Sequence, residues 1–325
     1  MRYLKALAFA ALLGGFATAV HAEEVVLNAV HFTPAQNGFA QSFLKFVAKV
    51  NEAGKGVVQI NVRGGPEVIP NPQLGTAQKS GLVDLVNAPA GLYLEMVPEG
   101  EVFSASTAKP WDVRANGGWD LINSIYEKKG NAHLLAHIDA GTGFHIFTVN
   151  EPEMTPDGSI DFSKLTLRSS PLYRQFFEAL GTTVIVQNAG DVYTSLERGV
   201  INGNAYPIMG YASFGWDKFT KYRVDPSFFQ VDVLVSMNKA KWDSLSPEAQ
   251  KILNDAAIAY ERESYDAMVA ETDRLAKVMI DGGQKVVEMT GAGREKFLAT
   301  AAKASWDRMA ERDPTNVEAL RKLFP

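Results

Sequence analysis

After Pro247 the chain runs to Gly282 without a glycine or a second proline. Ser246 is a good N-cap, proline suits the first helical position, and Glu248 favours the positive end of a helix. The pair Gly282-Gly283 then stops the run. The spacing predicts helix over positions 247–280, about 34 residues, which unbroken would be roughly 50 Å long. Two readings stay open: two ordinary helices meeting at a kink, or one helix long enough to lie across two separate lobes.

The rest of the pattern favours two lobes. Positions 25–30 read as a strand, and 36–53 as a helix with Phe39, Phe43, Phe46, Val47 and Val50 on one face. A second strand is expected at 57–62, a short helix at 71–80 ended by Gly81, and a buried third strand at 82–87. Strands alternating with helices imply βαβ units and a mostly parallel sheet. The alternation restarts with strands at 144–149 and 165–168, a helix at 171–180, a strand at 182–186 and a helix at 191–197. An apolar run at 229–237 reads as one strand returning toward the first sheet, and 293–312 as a late amphipathic helix. Two sheet nuclei joined by two or three crossings give an α/β fold of two lobes with a cleft between them and hinges at the crossings. The expected division is 23–143 plus 232–265 for the first lobe and 144–231 plus 266–325 for the second, the long helix being shared.

The N-terminus carries a compartment signal. Arg2 and Lys5 precede an apolar run over 6–20, and Val20-His21-Ala22 offers small or branched residues at the cleavage positions, so a secretory leader cut after Ala22 is expected. The run is too short, and too soon followed by Glu23 and Glu24, to be a spanning helix. Losing Arg2 and Lys5 leaves 30 basic against 37 acidic residues, about −7 in place of −5. An acidic chain without a basic run is a poor partner for nucleic acid or anionic membrane. It has no cysteine, so neither disulfides nor a lipidated cysteine is available, and stability must come from packing.

Chemistry-bearing motifs are sparse. No Gly-x-Ser-x-Gly elbow or phosphate-binding glycine loop is present, and Gly291-Ala292-Gly293 lacks a third glycine. His133 and His137 stand four apart and would share a helix face, but Leu134, Leu135 and Ala136 lie between them, without the glutamate of a zinc peptidase. An exported hydrolase is therefore a rival without a visible nucleophile, and neither metal nor cofactor is expected.

The most specific stretch opens with Leu165-Thr166-Leu167-Arg168-Ser169-Ser170-Pro171-Leu172-Tyr173. It continues through Phe177-Glu178-Ala179-Leu180-Gly181 and ends in Asp191-Val192-Tyr193-Thr194-Ser195-Leu196-Glu197-Arg198-Gly199-Val200-Ile201-Asn202-Gly203. With Asn238-Lys239, Trp242-Asp243 and Leu245-Ser246 ahead of the long run, these segments resemble the solute-binding subunit of TRAP transporters, the DctP family, over essentially the whole chain after the leader. The resemblance implies a two-lobed periplasmic receptor that closes on a small organic carboxylate and docks on TRAP membrane permease subunits driven by an ion gradient. It also implies that Arg168 holds the carboxylate. A guanidinium suits that role, because its planar fork matches a carboxylate and stays charged when desolvated.

Two positions depart from the family pattern. Gly143-Phe144-His145 has a histidine where many members carry a second arginine, and Tyr206 precedes Pro207 where an asparagine is common. One arginine beside a mostly neutral histidine balances one negative charge better than two. With Tyr206 opening the aromatic stretch Tyr211, Phe214 and Trp216, this points to a monocarboxylate with an apolar or aromatic body; a sugar acid or dicarboxylate is the alternative. The aromatic stretch itself reads as pocket wall or as core. Ligands of open α/β sheets bind at the carboxyl ends of strands, which adds His31, Phe32, Glu67 and Asn87 as candidates; Tyr93 joins them through the family's tyrosine-leucine pair.

Overall fold

The computed structural model describes residues 23–325; the leader read at residues 1–22 lies outside the described residues. Among the described residues eleven strands form two sheets. The first contains β1 (Val25–His31), β2 (Val58–Gly64), β3 (Leu85–Pro89), β4 (Ala132–His137) and β10 (Val233–Asn238), in the order β2-β1-β3-β10-β4. The second contains β5 (Gly143–Thr148), β6 (Thr166–Ser169), β7 (Thr183–Val186), β8 (Gly203–Pro207), β9 (Tyr222–Gln230) and β11 (Lys285–Glu288), in the order β11-β9-β5-β8-β6-β7. Both sheets are mixed, because β10 runs antiparallel to β3 and β4, and β5 antiparallel to β8 and β9.

Apolar periodicity explains the first lobe's packing. The helix Gly38–Ala53 is capped by Asn37, whose side chain accepts from the Phe39 N–H, and it buries Phe39, Phe43, Phe46, Val47 and Val50. Each such side chain stabilises the fold by roughly 1.5–3 kcal/mol relative to exposure. The expected helix at 71–80 is a 3-10 turn, Asn71–Gln73, followed by the helix Leu74–Ser80. The third strand starts later than its apolar content suggests. Gly81, at φ +78°, closes that helix, and the Leu82 N–H still bonds to Ala77 O at 2.9 Å, leaving Leu82 76 % exposed.

Two sequence readings are corrected. The run 229–237 is not one strand: β9 ends at Gln230 and β10 begins at Val233, in different sheets. Between them Val231-Asp232 crosses from one lobe to the other. His133 and His137 lie on β4, not on a helix. The His133 ring stacks on Trp242 and meets Glu127 at 2.6 Å, while His137 Nε2 lies 2.8 Å from Val231 O.

The 247–280 run is one unbroken helix, Pro247–Asp281, with the Ser246 hydroxyl accepting from the Ala249 N–H. Its first half is fixed to the first lobe. The Tyr260 hydroxyl donates to Ser42 O at 2.7 Å, and Arg114 grips Glu261 through two bonds of 2.7 and 2.9 Å. Glu261 also accepts from the His137 N–H at 2.9 Å, and Ser264 Oγ from the Asp139 N–H at 3.1 Å. Beyond its far end the chain enters β11, which pairs with β9 of the second sheet. The helix therefore spans both lobes.

The crossings at 138–142 and 231–232 are bonded to each other's flanks. Ile138 N–H donates to Val233 O at 3.0 Å, and Val231 N–H to Thr142 O at 2.9 Å. A third tie comes from the helix Gly291–Arg312. Its Arg308 pairs with Glu101 of the first lobe and donates to Pro171 O of the second at 2.6 Å. No helix among the described residues is long and apolar enough to cross a membrane.

Candidate functional site

A cavity of about 560 Å³ lies between the lobes. The first lobe lines it with Phe32, Thr33 and Pro34 after β1, with Pro66, Pro70 and Pro72 after β2, and with Pro89 at the end of β3. Carboxyl ends of strands do form this wall, as open α/β sheets require. The second lobe contributes Phe144 of β5, Arg168 of β6, Leu172 and Tyr173, Val186 at the end of β7 with residues 187–190 after it, Tyr206 and Pro207 of β8, and Phe214; Val231 and Asp232 belong to the second crossing and Val233 opens β10. Most of this surface is aromatic, aliphatic or proline, so a bound molecule must present mainly apolar area.

Arg168 is 4 % exposed and held by two bonds. Its Nε donates to Gln187 O at 2.9 Å, and one terminal nitrogen to the Tyr173 hydroxyl at 2.6 Å; that hydroxyl in turn donates to Ala205 O at 2.8 Å. The side chain is thus aimed by neutral oxygens. Arg168, Arg223 and Arg308 are the buried arginines among the described residues. Arg223 meets Asp225 at 2.9 Å, and Arg308 pairs with Glu101. Arg168 alone of the three has no carboxylate partner. A buried guanidinium without an anion is costly, and bonds to neutral oxygens offset only part of that cost.

Tyr206 lies near it. The ring meets Phe214 and Trp216 edge-on, with centroids 5.6 and 5.3 Å away. Burial pushes its phenol up, while the charge of Arg168 pulls the other way. Tyr206 is therefore a neutral hydroxyl beside an unneutralised cation, suited to donate to an anion that the arginine holds.

The other expected residues sit elsewhere. His145 is opposite Tyr206 in the ladder, but its Nδ1 lies 2.7 Å from Asp225, which Arg223 also holds through two bonds. Burial opposes ionisation of Asp225, yet the His145 and Arg223 hydrogen bonds outweigh it and bring its carboxyl down to about 2. Tyr211 stacks on Phe147 at 3.8 Å and donates to Asn204 at 2.7 Å, so it belongs to the core. Tyr93 is turned inward, donating to Gln78 at 2.9 Å, and Asn87 reaches Leu234 O at 3.4 Å. His31 Nδ1 lies 2.6 Å from Thr33 O, and Glu67 folds back to accept from the Gly65 N–H at 2.7 Å. None of these six lines the cavity; Phe32, Arg168 and Tyr206 do.

Sequence reasoning passed over Tyr173, Gln187 and Asp232. Tyr173 stood in the quoted segment, five residues after Arg168, a spacing that carries no periodic signal across a strand end. Asp232 was hidden inside an apolar run. It is 1 % exposed, and its Oδ2 accepts from the Gly91 N–H at 2.8 Å. Among the described residues no group of three or more His, Asp or Glu side chains could hold a metal ion.

The chain has recognisable relatives. It is 24 % identical over 298 residues to the ectoine-binding periplasmic protein TeaA of Halomonas elongata, covering 81 % of this chain and 84 % of that one. Among solved structures, DctP7 of Bordetella pertussis, an extracytoplasmic solute receptor binding pyroglutamic acid, superposes with a TM-score of 0.78 at 15 % identity. That match covers 92 % of this chain and 99 % of the other. A TRAP solute-binding protein from a marine metagenome, specific for aromatic acid ligands and crystallised with 3-hydroxybenzoate, gives 0.77 at 21 %, covering 93 % and 98 %. At these identities the structures share the fold, and these neighbours are solute receptors rather than enzymes. The sequence model of bacterial extracellular solute-binding protein, family 7, matches residues 29–313, and the chain therefore belongs to this family, the DctP periplasmic receptors of TRAP transporters.

Proposed function

We propose that this receptor binds a monocarboxylate with an apolar or aromatic body, and that Arg168 holds the carboxylate in the cleft. The observation that carries the reading is the buried guanidinium of Arg168, which no described acid neutralises and which lines an apolar cavity. A carboxylate entering the cavity supplies the missing charge, and Tyr206 adds a hydroxyl donor. In a desolvated site the pair fixes the ligand's orientation and rejects neutral analogues, which would leave the arginine uncompensated. The apolar walls then select the body. Aromatic acids are the ligands of one structural neighbour, which agrees with this wall chemistry.

Binding draws the lobes together about the crossings at 138–142 and 231–232, and the closed receptor delivers its solute to TRAP permease subunits. On this reading the lobes divide at 143/144 and 231/232, and the exported chain begins at Glu23. Thermal-shift measurements against matched acids and their primary amides test the proposal. Stabilisation by benzoate-like or other apolar monocarboxylates, but not by their amides, is expected. Stabilisation by dicarboxylates or sugar acids with none by apolar monocarboxylates would overturn the ligand class.

A further inference from the structure

The cavity lining contains one basic side chain, Arg168, and one acidic side chain, Asp232. They come from different elements: Arg168 from β6, Asp232 from the crossing that leads into β10. No ion pair joins them, and neither pairs with any other charged group among the described residues within 4.0 Å. Asp232 is 1 % exposed, and its Oδ2 takes the Gly91 N–H. The carboxylate also takes its own backbone N–H, no other described residue donates to Oδ1, and the side chain lines the cavity.

The other buried acids are answered within the protein. Glu99 has Lys129 at 2.6 Å, Glu101 has Arg308, and Glu261 has Arg114 at 2.7 Å. Asp139 lacks a cation but takes the Ser42 hydroxyl at 2.6 Å and lies outside the cavity. Asp232 alone combines burial, a missing cation and access to the ligand space. Burial pushes its carboxyl up to about 6 despite the Gly91 bond. Ionised near neutral pH, it carries a desolvation cost that a donor in the cavity would offset.

Resting on the carboxylate reading above, we infer that Asp232 is a second pole of the site and that the ligand is a carboxylate bearing a hydrogen-bond donor (an ammonium, a ring N–H or a hydroxyl) on its apolar body. The carboxylate meets Arg168, and the donor meets Oδ1 of Asp232. A plain apolar acid satisfies only the first pole, and a dicarboxylate sets its second anion against Asp232. The arrangement selects by what it repels as well as by what it holds.

The test is titration calorimetry on the full mature protein with matched pairs: pyroglutamate against cyclopentanecarboxylate, and 3-hydroxybenzoate against benzoate. In at least one pair the donor-bearing acid is expected to bind at least tenfold more tightly. Asp232→Asn keeps an oxygen for the Gly91 N–H but turns an amide NH₂ toward the cavity, so the preference should fall to within twofold. Equal affinity within both pairs in the wild type overturns the inference without need of a variant, as does a preference that survives Asp232→Asn in a folded protein. If, in addition, Arg168→Ala abolishes binding of all four acids, the carboxylate reading stands and only the second pole falls. Failure of every acid to bind the wild type removes both.

Discussion

Two buried arginines project from the same face of the second sheet, and they have opposite surroundings. Arg168 on β6 and Arg223 on β9 share a face because each is in register with it: Arg168 opposite Asn204, Asn204 opposite Phe147, and Phe147 opposite Arg223. Arg223 is closed off by Asp225, which His145 also holds. Arg168 receives only the Gln187 carbonyl and the Tyr173 hydroxyl. One cation is neutralised by the fold, and the other, on the function proposed above, is left for a ligand. Burial of a charge alone does not mark a binding site; burial without a built-in counter-charge, beside an open cavity, does.

Breaking the open half of the comparison should have the largest effect. Arg168→Ala is expected to weaken carboxylate binding by two to three orders of magnitude, about 3–4 kcal/mol for a desolvated pair that loses one member. Titration calorimetry measures this, and a circular-dichroism spectrum like that of the wild type shows the fold is kept. Breaking the closed half should strike stability instead. Asp225→Ala leaves Arg223 buried without its carboxylate and should cost about 2–3 kcal/mol in urea unfolding, with ligand affinity nearly unchanged. An affinity loss as large as that of Arg168→Ala would erase the distinction between the two arginines.

Asp139 is the mirror case, a buried anion without a cation. Burial pushes its carboxyl up to about 7 against the Ser42 hydrogen bond and the charge of Lys45. A folded pKa above the unfolded value near 4 means a stabilising contribution that is full below about pH 4 and lost as pH rises through about 7. Asp139→Asn removes the charge, and asparagine tolerates the local φ of +60°. The variant should gain about 2 kcal/mol on the wild type between pH 5 and pH 8. Urea midpoints at the two pH values decide; a parallel loss in both proteins would show that Asp139 does not titrate in this window.

The smallest effect expected is at His145, whose ring is engaged by Asp225. His145→Gln should change carboxylate affinity by less than about threefold, under 0.7 kcal/mol. A tenfold loss would bring His145 back among the ligand-binding groups.

These contrasts also separate what a reader of the sequence could see from what needed coordinates. The long helix was visible because it depends on local terms: a serine cap, a proline at the first position, and no breaker before Gly282. The buried face of Gly38–Ala53 followed from period alone. Arg168 stood inside a recognisable segment. His145 was ambiguous because its partner, Asp225, lies 80 positions away, and pairing across a sheet leaves no trace in spacing. Asp232 was missed for a related reason. An apolar run looks like one strand whether or not the chain changes sheets within it, so the charged residue at the change appeared to be an interruption rather than part of a wall. β4 went unread because its two histidines suggested a helical spacing, and only the ladder with β10 distinguishes the alternatives.

The helix Pro247–Asp281 gives the receptor one stiff member. Gripped by Arg114 near its middle and followed, after Gly282-Gly283-Gln284, by a strand of the second sheet, it runs from one lobe to the other as a single stiff rod. Helices curve smoothly at radii of about 60–100 Å, and sharp kinks need a proline, a glycine or a bulge. This helix has no proline or glycine after its first residue. At about 52 Å long, it can bow through roughly 30–50° at most. Bending is therefore spread evenly along the rod, and a sharp change of direction between the lobes falls at Gly282-Gly283 or at the two crossings rather than within the helix.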